Sequence, residues 1–262
     1  MHRIIAKIAV CTSSFIIFTI AAGAQTQVVY NKFANGAIYS GLTTDGTVKG
    51  KPNVMGSYTY SDGSKYVGQW DKGQITGHGL RTYANKDSYV GQFLDNEWDG
   101  HGIYVWSYGD NYCGQWKNGV MHGHGIYVWA DGSNFCGQWE NGVKKGHGVQ
   151  IFANGDKCEG TWENDQMNGM VSCKYSNGET YTGEMKNGVI SGYGTRTWAN
   201  GDRYTGEWEN GQMCGLGTYV WANGDKHIGQ WKDNNKNGHG MTVLANGKIF
   251  AGMFSNNELV SE

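Results

Sequence analysis

The sequence predicts an all-β fold, an elongated and twisted single-layer antiparallel meander of stacked β-hairpins, and three observations predict it. The chain of 262 residues contains 43 glycines but one proline, a balance unlike that of ordinary globular domains. An aromatic-x-Gly motif returns every 23 residues, and the segments around it follow the two-residue period of strands rather than the helical period of 3.6. Finally, 23 residues are too few for a helical crossover between parallel strands, so consecutive strands must pair antiparallel.

The N-terminus has the pattern of an export signal. Arg3 and Lys7 flank the start of an apolar run over residues 8–22, and Ala22-Gly23-Ala24 fits a small-x-small cleavage site. We therefore expect residues 1–24 to be a signal peptide that is cleaved near Ala24, and the mature protein to be periplasmic or secreted. The alternative, an uncleaved membrane anchor, is disfavoured because the apolar run is shorter than the roughly 20 residues that span a bilayer.

A repeat of 23 residues organises the rest of the chain. Its copies begin with YVGQW at Tyr66, YVGQF at Tyr89 and YCGQW at Tyr112. The later copies begin at Phe135, Cys158, Tyr181, Tyr204, His227 and Phe250. A glycine lies two residues after each start, at Gly68, Gly91, Gly114, Gly137, Gly160, Gly183, Gly206, Gly229 and Gly252. Further glycines recur 11 and 13 residues after the start, and we expect glycines beside large rings to leave slots for those rings.

The repeats divide the mature chain into three parts. Residues 66–249 contain eight tandem repeats, and residues 250–262 contain a half-repeat and a tail. Residues 25–65 are expected to form an irregular N-terminal cap with a degenerate repeat at Tyr39, which runs four residues longer than the others. Atypical ends are common in repeat arrays because the ends face water.

The repeat pattern resembles the MORN repeat, Y-x-G-x-W-x-x-G-x-x-x-G-x-G, over about residues 36–254. The resemblance implies an elongated array of β-hairpins and is associated with scaffolding and self-association. The unit that begins at Cys158 departs most from the pattern, with Asp165 and Val171 at glycine positions. A kink or a weak joint is expected there.

Asn-Gly and Asp-Gly pairs between the units are typical of tight two-residue hairpins. With Asn200 and Gly201 as the central turn residues, Tyr204 is expected opposite Thr197. In that register the rings are shared between both faces of the sheet. The face opposite Tyr204 would carry Trp198, Tyr219 and Trp221. About seventeen strands spaced at roughly 4.8 Å would give a rod of about 80 Å.

Five histidines recur at one repeat position and invite a metal-binding interpretation. They are His78, His101, His124, His147 and His239. Equivalent residues lie two strands apart, roughly 9.6 Å, whereas ligands of one zinc ion must each reach it at about 2.1 Å. We therefore predict no metal site and no cofactor, and His122 with His124 is the best pair.

The cysteines are also predicted to lack a special role. Cys113 and Cys136 are register equivalents, so their spacing exceeds the roughly 7 Å limit of a disulfide, and free thiols are expected. Cys158, Cys173 and Cys214 occupy three different repeat positions with no convincing pairing, and small apolar filler is the expected role of each.

The sequence favours an interaction scaffold over an enzyme. No catalytic residues are predicted, because almost every polar residue recurs with the repeat. The net charge is −2, or −4 without residues 1–24, which excludes the cationic field that nucleic-acid binding requires. We expect a protein partner, or a second copy of the chain, to bind the aromatic face. The candidate surface consists of Tyr104, Trp106, Tyr127, Trp129, Trp198, Tyr219 and Trp221.

Two other binding functions remain open at this point. The first is peripheral association with a lipid surface, for which Lys144 and Lys145 form the densest basic pair and Lys236 is the repeat equivalent of Lys144. The second is glycan binding on the tryptophan and tyrosine rings.

Overall fold

A computed structural model describes residues 27–43 and 55–261, which form strands and turns. The predicted signal peptide, residues 1–24, lies outside the described residues. The strands are β1 Gln27–Lys32, β2 Ile38–Thr43, β3 Met55–Thr59, β4 Lys65–Asp71, β5 Gln74–Thr82, β6 Ser88–Leu94, β7 Glu97–Val105, β8 Asn111–Lys117, β9 Val120–Val128, β10 Asn134–Glu140, β11 Val143–Ile151, β12 Lys157–Glu163, β13 Gln166–Lys174, β14 Thr180–Lys186, β15 Val189–Thr197, β16 Arg203–Glu209, β17 Gln212–Val220, β18 Lys226–Lys232, β19 Asn235–Val243, β20 Ile249–Ser255 and β21 Glu258–Ser261.

Each strand pairs antiparallel with the next strand of the chain, which confirms the predicted meander. The pairing runs unbroken from β1 with β2 to β20 with β21 and leaves one open sheet. The described residues hold 21 strands, so the sheet is about 95 Å long at the usual strand spacing rather than the predicted 80 Å. None of the described residues forms a helix with the length and apolarity that a bilayer crossing requires.

The two-residue turn lies within the repeat, so the predicted position of this turn was wrong. Lys117 pairs with Val120 across Asn118 and Gly119, whose φ angles are 49° and 76°. Both angles are positive, as in a type I′ turn, whose twist matches that of the flanking strands. Between repeats the loop has five residues instead, and Thr197 pairs with Arg203.

The longer loop changes which residues face one another. Tyr204 lies opposite Arg196, not Thr197, on one side and opposite Tyr219 on the other. Since opposed residues share a face, the rings predicted on two faces all lie on one, called here the aromatic face. Ring centroids of Tyr219 and Trp221 are 4.7 Å apart, and those of Trp198 and Tyr219 are 5.3 Å apart.

The tyrosine that starts each repeat lies in a slot between two paired glycines, as predicted. Gly183 pairs with Gly194, and the ring of Tyr181 lies over both. A Cβ added at Gly194 would lie 2.5 Å from Tyr181 Oη and 2.8 Å from its Cε2. The hydroxyl of Tyr181 donates a hydrogen bond of 2.7 Å to the carbonyl of Glu184, so the buried polar end of the ring is satisfied.

A different glycine of the repeat forms a β-bulge. Gly123 has a φ of 60°, and the register between β8 and β9 shifts beside it. The Oε1 of Gln115 accepts a 2.7 Å hydrogen bond from the backbone N–H of His124, which the bulge leaves unpaired in the ladder. On the turn side of the bulge Gln115 pairs with His122, whereas beyond the bulge Gly114 pairs with Gly125. The pairing is thus shifted by two residues on β9, and Tyr112 lies opposite Tyr127.

The N-terminal region continues the same sheet. Tyr39 is 3% exposed, and its ring lies against Gly41 and Gly56, which pair with each other. The separation of these glycines is 15 residues instead of the 11 between Gly68 and Gly79. The four additional residues predicted from the sequence therefore fall between β2 and β3.

Filling a ring slot is expected to destabilise the sheet. Gly194→Ala should lower the free energy of unfolding by about 1–3 kcal/mol because the new methyl group overlaps Tyr181. Gly211→Asn is the control, since Gly211 has open space around its Cα and Asn96 adopts the same turn position with a φ of 74°. Denaturation with urea measures both variants, and equal midpoints for the two would contradict the slot.

Candidate functional site

The rings of the candidate surface are packed in a ladder along the aromatic face. Tyr104 and Tyr127 are buried, at 7% and 9% exposure. Trp106, Trp129, Trp198, Tyr219 and Trp221 are half-buried. The four tryptophans begin the loops between repeats, at one long edge of the aromatic face. These four residues are called the indole rim.

Aspartates in several of the loops link one repeat to the next. Asp110 Oδ2 accepts a 2.5 Å hydrogen bond from the hydroxyl of Tyr127, and its Oδ1 accepts one of 2.8 Å from the backbone N–H of Ala130. Asp202 makes the same two contacts with Tyr219 and Ala222. Burial, followed by the neighbouring carboxylate, raises the pKa of Tyr127 and Tyr219 above its ordinary value. These tyrosines stay neutral donors that hold the indole rim in register.

The opposite face of the sheet carries an exposed apolar strip that the sequence analysis missed. Val67, Val90 and Leu80 are 48%, 48% and 45% exposed, and Ile103 and Ile126 are 38% and 37% exposed. The apolar strip consists of Val67, Leu80, Val90, Ile103, Val105, Cys113, Ile126, Val128, Cys136, Val149 and Ile151. The signal was present in the sequence, since these residues occupy alternate positions between the buried rings.

The repeated histidines lie on this outer face and do not converge. His78, His101, His124, His147 and His239 are all exposed. His122 and His124 border a shallow groove of about 550 Å³ with Lys145 and Glu163. Within the described parts of the chain, no three His, Cys, Asp or Glu side chains are arranged to hold a metal ion.

Cys158 and Cys173 form a disulfide, so the expectation that they are isolated filler was wrong. They lie directly opposite each other on β12 and β13, with their Cα atoms 4.1 Å apart. The register shift between Gly160 and Trp162 places the two cysteines opposite each other. A pairing derived from the sequence without a bulge does not place them opposite each other. Cys113, Cys136 and Cys214 take part in no disulfide among the described residues.

The disulfide replaces a ring in its slot. Cys158 stands where other repeats have tyrosine, and the side chain of Val171, only 3% exposed, fills the space over Gly160. The pairing of β12 with β13 and of β13 with β14 continues through this unit. The strand pairing is therefore intact at the unit where a weak joint was expected.

Lys144 lies inside the aromatic face rather than on a basic surface. Its Nζ is 4.7 Å from the ring centroid of Trp162, 4.8 Å from that of Trp129 and 5.0 Å from that of Phe135. The ammonium donates a 2.7 Å hydrogen bond to Gln150 Oε1, and burial lowers its pKa. Lys145 points to the other face and forms an ion pair with Glu140. The predicted basic pair is thus divided between two faces.

His227 is a second substitute for the slot tyrosine. It is 0% exposed and lies between Trp231 and Phe254, with its Nδ1 2.9 Å from the hydroxyl of Thr242. Its Nε2 has no hydrogen-bond partner among the described residues. Burial, with a smaller effect of Lys236, lowers the pKa of His227 to about 4.

Removal of the disulfide should weaken the array. Cys158→Ser with Cys173→Ser is expected to lower the free energy of unfolding by about 2–4 kcal/mol, because the bond closes a loop of about 15 residues. Cys136→Ser, on the exposed face, is the control and should change it by less than about 0.5 kcal/mol. Denaturation with and without a reductant measures this. A thiol count showing Cys158 and Cys173 both reactive in the unreduced native protein would contradict the pairing.

His227 should make stability fall with acid. Its pKa is lower in the folded than in the unfolded state, so the unfolded chain takes up a proton first as pH falls below about 6.5. Stability contributed by neutral His227 is present above that pH and is lost towards pH 4, by up to about 3 kcal/mol. His227→Phe should remove this part of the slope, since Phe135 occupies the same slot. The control is His239→Asn, and an unchanged slope in His227→Phe would contradict the assignment.

Comparison with known proteins identifies the repeat. The sequence profile of the family described as MORN repeat matches nine consecutive segments, residues 48–65, 66–88, 89–110, 112–134, 135–157, 158–180, 181–203, 204–226 and 227–249. A search of curated protein sequences finds no match.

Solved structures with related geometry are distant. The TCP10 domain of Danio rerio CPAP has 10% identity and a TM-score of 0.41, with 86% of this chain and 100% of that chain covered. The TCP domain of SAS-4 of Drosophila melanogaster, in complex with a proline-rich motif of Ana2, has 12% identity and a TM-score of 0.29, with 77% and 90% covered. These similarities are too low to carry an argument about function.

Proposed function

Because the chain belongs to the MORN repeat family, we propose that it is an exported, non-enzymatic scaffold that binds a protein partner through the indole rim. The observation that carries this proposal is the arrangement of the aromatic face. Its slot tyrosines, such as Tyr112 and Tyr204, are buried. Its rim tryptophans stay half-buried along one edge, in the pairs Trp106 with Trp129 and Trp198 with Trp221. Large, rigid rings that are partly accessible are the residues that most often contribute binding energy in protein interfaces.

The rim is also preorganised. Trp106 lies between Tyr104 and Tyr127, with ring centroids at 4.5 Å and 5.3 Å. Tyr127, hydrogen-bonded to Asp110, in turn lies 4.6 Å from Trp129. A partner that contacts held rings loses little side-chain entropy on binding. Translational repetition also supports the absence of catalysis, because equivalent polar groups are kept apart rather than collected at one point.

Export is supported by cysteine chemistry as well as by the N-terminal sequence. The disulfide between Cys158 and Cys173 links two opposed strands. Disulfides persist in oxidising compartments and are rare in reducing ones. The lipid and glycan hypotheses gain no comparable support, because Lys144 is enclosed by rings and Tyr127 packs against Trp139.

Partner capture from the cells that export the protein tests the proposal. Trp106→Ala with Trp129→Ala should weaken retention of the captured protein by about tenfold or more. Ile126→Lys, on the opposite face, is the control and should retain it. Mass spectrometry of the purified chain should give an N-terminus near residue 25. If the rim variant and the unmodified chain retain the captured protein equally, the proposed role of the indole rim is contradicted.

A further inference from the structure

Cations of the chain itself contact several rings along the edge that carries the indole rim. Tyr60 and Tyr83 occupy the same repeat position as the rim tryptophans. The distances from cation to ring centroid run from 4.8 Å to 5.7 Å in five contacts, namely Arg81 with Tyr60 and with Tyr83, Lys144 with Trp129, Arg196 with Trp198, and Lys236 with Trp221. A cation at such a distance is attracted by the electron-rich face of the ring. Rings at this repeat position therefore suit a positive charge.

Trp106 is the rim tryptophan over which no lysine or arginine lies among the described residues. Its neighbours are tyrosine rings, with centroids at 4.5 Å for Tyr104, 5.3 Å for Tyr127 and 6.4 Å for Tyr108. Tyr108 is 64% exposed, and most other repeats have asparagine at its position, as at Asn200. The repeat fold thus does not require the ring of Tyr108, which adds accessible aromatic area beside Trp106.

The chain is most acidic around the same ring. Residues 87–143 hold seven acidic side chains and one basic one, Lys117, whereas the rest of the chain from residue 25 onward holds 16 acidic and 18 basic ones. Both Trp106 and Trp129 lie in this acidic segment. A surface with charge of one sign attracts partners of the opposite sign and disfavours partners of the same sign. The segment therefore favours a basic partner over an anionic one.

Two carboxyl groups stand beside these rings without a cation. Asp110 ends the loop that Trp106 begins, and Asp131 lies in the next loop. Neither forms an ion pair with another residue in the described part of the chain. Hydrogen bonds from the side chain and the backbone of Ser133 lower the pKa of Asp131, so this exposed carboxyl is ionised at neutral pH. The group called here the cation sector consists of Trp106, Tyr108, Asp110, Trp129 and Asp131.

We propose that the cation sector binds an arginine side chain in a basic segment of the protein partner. The guanidinium stacks on the rings and pairs with a loop carboxylate. Arg196 shows this arrangement within the chain, since it lies over Trp198 and donates a 2.6 Å hydrogen bond to Glu179. Arginine fits better than lysine because its planar fork both stacks on rings and binds carboxylates. The inference rests on the proposed partner binding at the rim and names the chemistry of that partner.

Fluorescence anisotropy with a labelled, extended peptide that carries two arginines tests the proposal on the protein as recovered from exporting cells. The control ligand is the same peptide with citrulline in place of arginine, because citrulline keeps the shape of the side chain and has no charge. The arginine peptide should bind more tightly by about tenfold or more.

The first variant removes the exposed ring and the exposed carboxyl of the sector. Tyr108→Asn with Asp131→Asn should weaken binding of the arginine peptide by about tenfold. Asparagine is the residue of other repeats at this position, so the loops keep their fold. The matched control is Tyr193→Asn with Asp165→Asn, which removes an exposed tyrosine and one charge elsewhere and should change the affinity by less than about twofold. Asn96 already stands at the repeat position of Asp165.

The second variant supplies the missing cation from the chain itself. Tyr127→Arg places an arginine between Trp106 and Trp129, at the repeat position that Arg81 and Arg196 occupy. It should weaken binding of the arginine peptide by about tenfold, because the rings and the carboxylate of Asp110 are then occupied. Circular dichroism verifies that all variants fold.

Equal affinity for the arginine and citrulline peptides overturns the proposal, and so does binding of neither peptide. Unchanged binding in the Tyr108→Asn, Asp131→Asn variant also overturns it. Flotation with phosphatidylcholine vesicles without peptide binding overturns it in favour of a choline headgroup. Partner capture that depends on the rim but is not displaced by the arginine peptide overturns it while the proposed function stands. Equal capture by the rim variant contradicts the proposed function, and this proposal with it.

Discussion

The packing of one ring into a slot between two paired glycines is the constraint on which the structure depends. A single-layer sheet has no second layer to cover its apolar residues, so its core must come from rings that lie flat on their own strands. A Cβ at either glycine occupies the volume of that ring, and the ring hydroxyl reaches a backbone carbonyl only because the slot is open. Glycine, which ordinarily weakens the interior of a strand, is therefore the residue that makes this sheet stable.

The three complete repeats that depart from tyrosine show what the slot tolerates. Phe135 keeps the ring without the hydroxyl, and His227 keeps a smaller ring whose Nε2 has no hydrogen-bond partner among the described residues. The Cys158 unit abandons the ring, and a disulfide with Val171 fills the volume. Each of these repeats places a different side chain in the slot. Acid is therefore expected to affect the repeat that contains His227, and a reductant the repeat that contains the disulfide.

Translational symmetry separates the two faces in packing. The slot rings face one side because opposed positions of neighbouring strands share a face, and the outer side carries the Gln side chains that cap the bulges. Outward positions accept several kinds of side chain, since the position of Ile126 holds Ser172 and Thr218 in later repeats and Met241 in the last complete one. Repetition at two-strand intervals also prevents the exposed histidines from converging, and it sets the spacing of Trp106 from Trp129 and of Trp198 from Trp221.

The sequence by itself determined the repeat, the all-β meander, the ring slots and the identity of the candidate rings, because these follow from local spacing and residue type. It did not determine the register between strands. The bulge at the positive-φ glycine and the five-residue loop shift each pairing, and only the paired strands show their combined effect. That register decided that Cys158 meets Cys173, that Lys144 enters the aromatic face, and that the slot tyrosines and Tyr219 lie on one side. A shift in the register of two paired strands changes which side chains lie opposite each other along their whole length. The sequence of a single repeat does not specify that register.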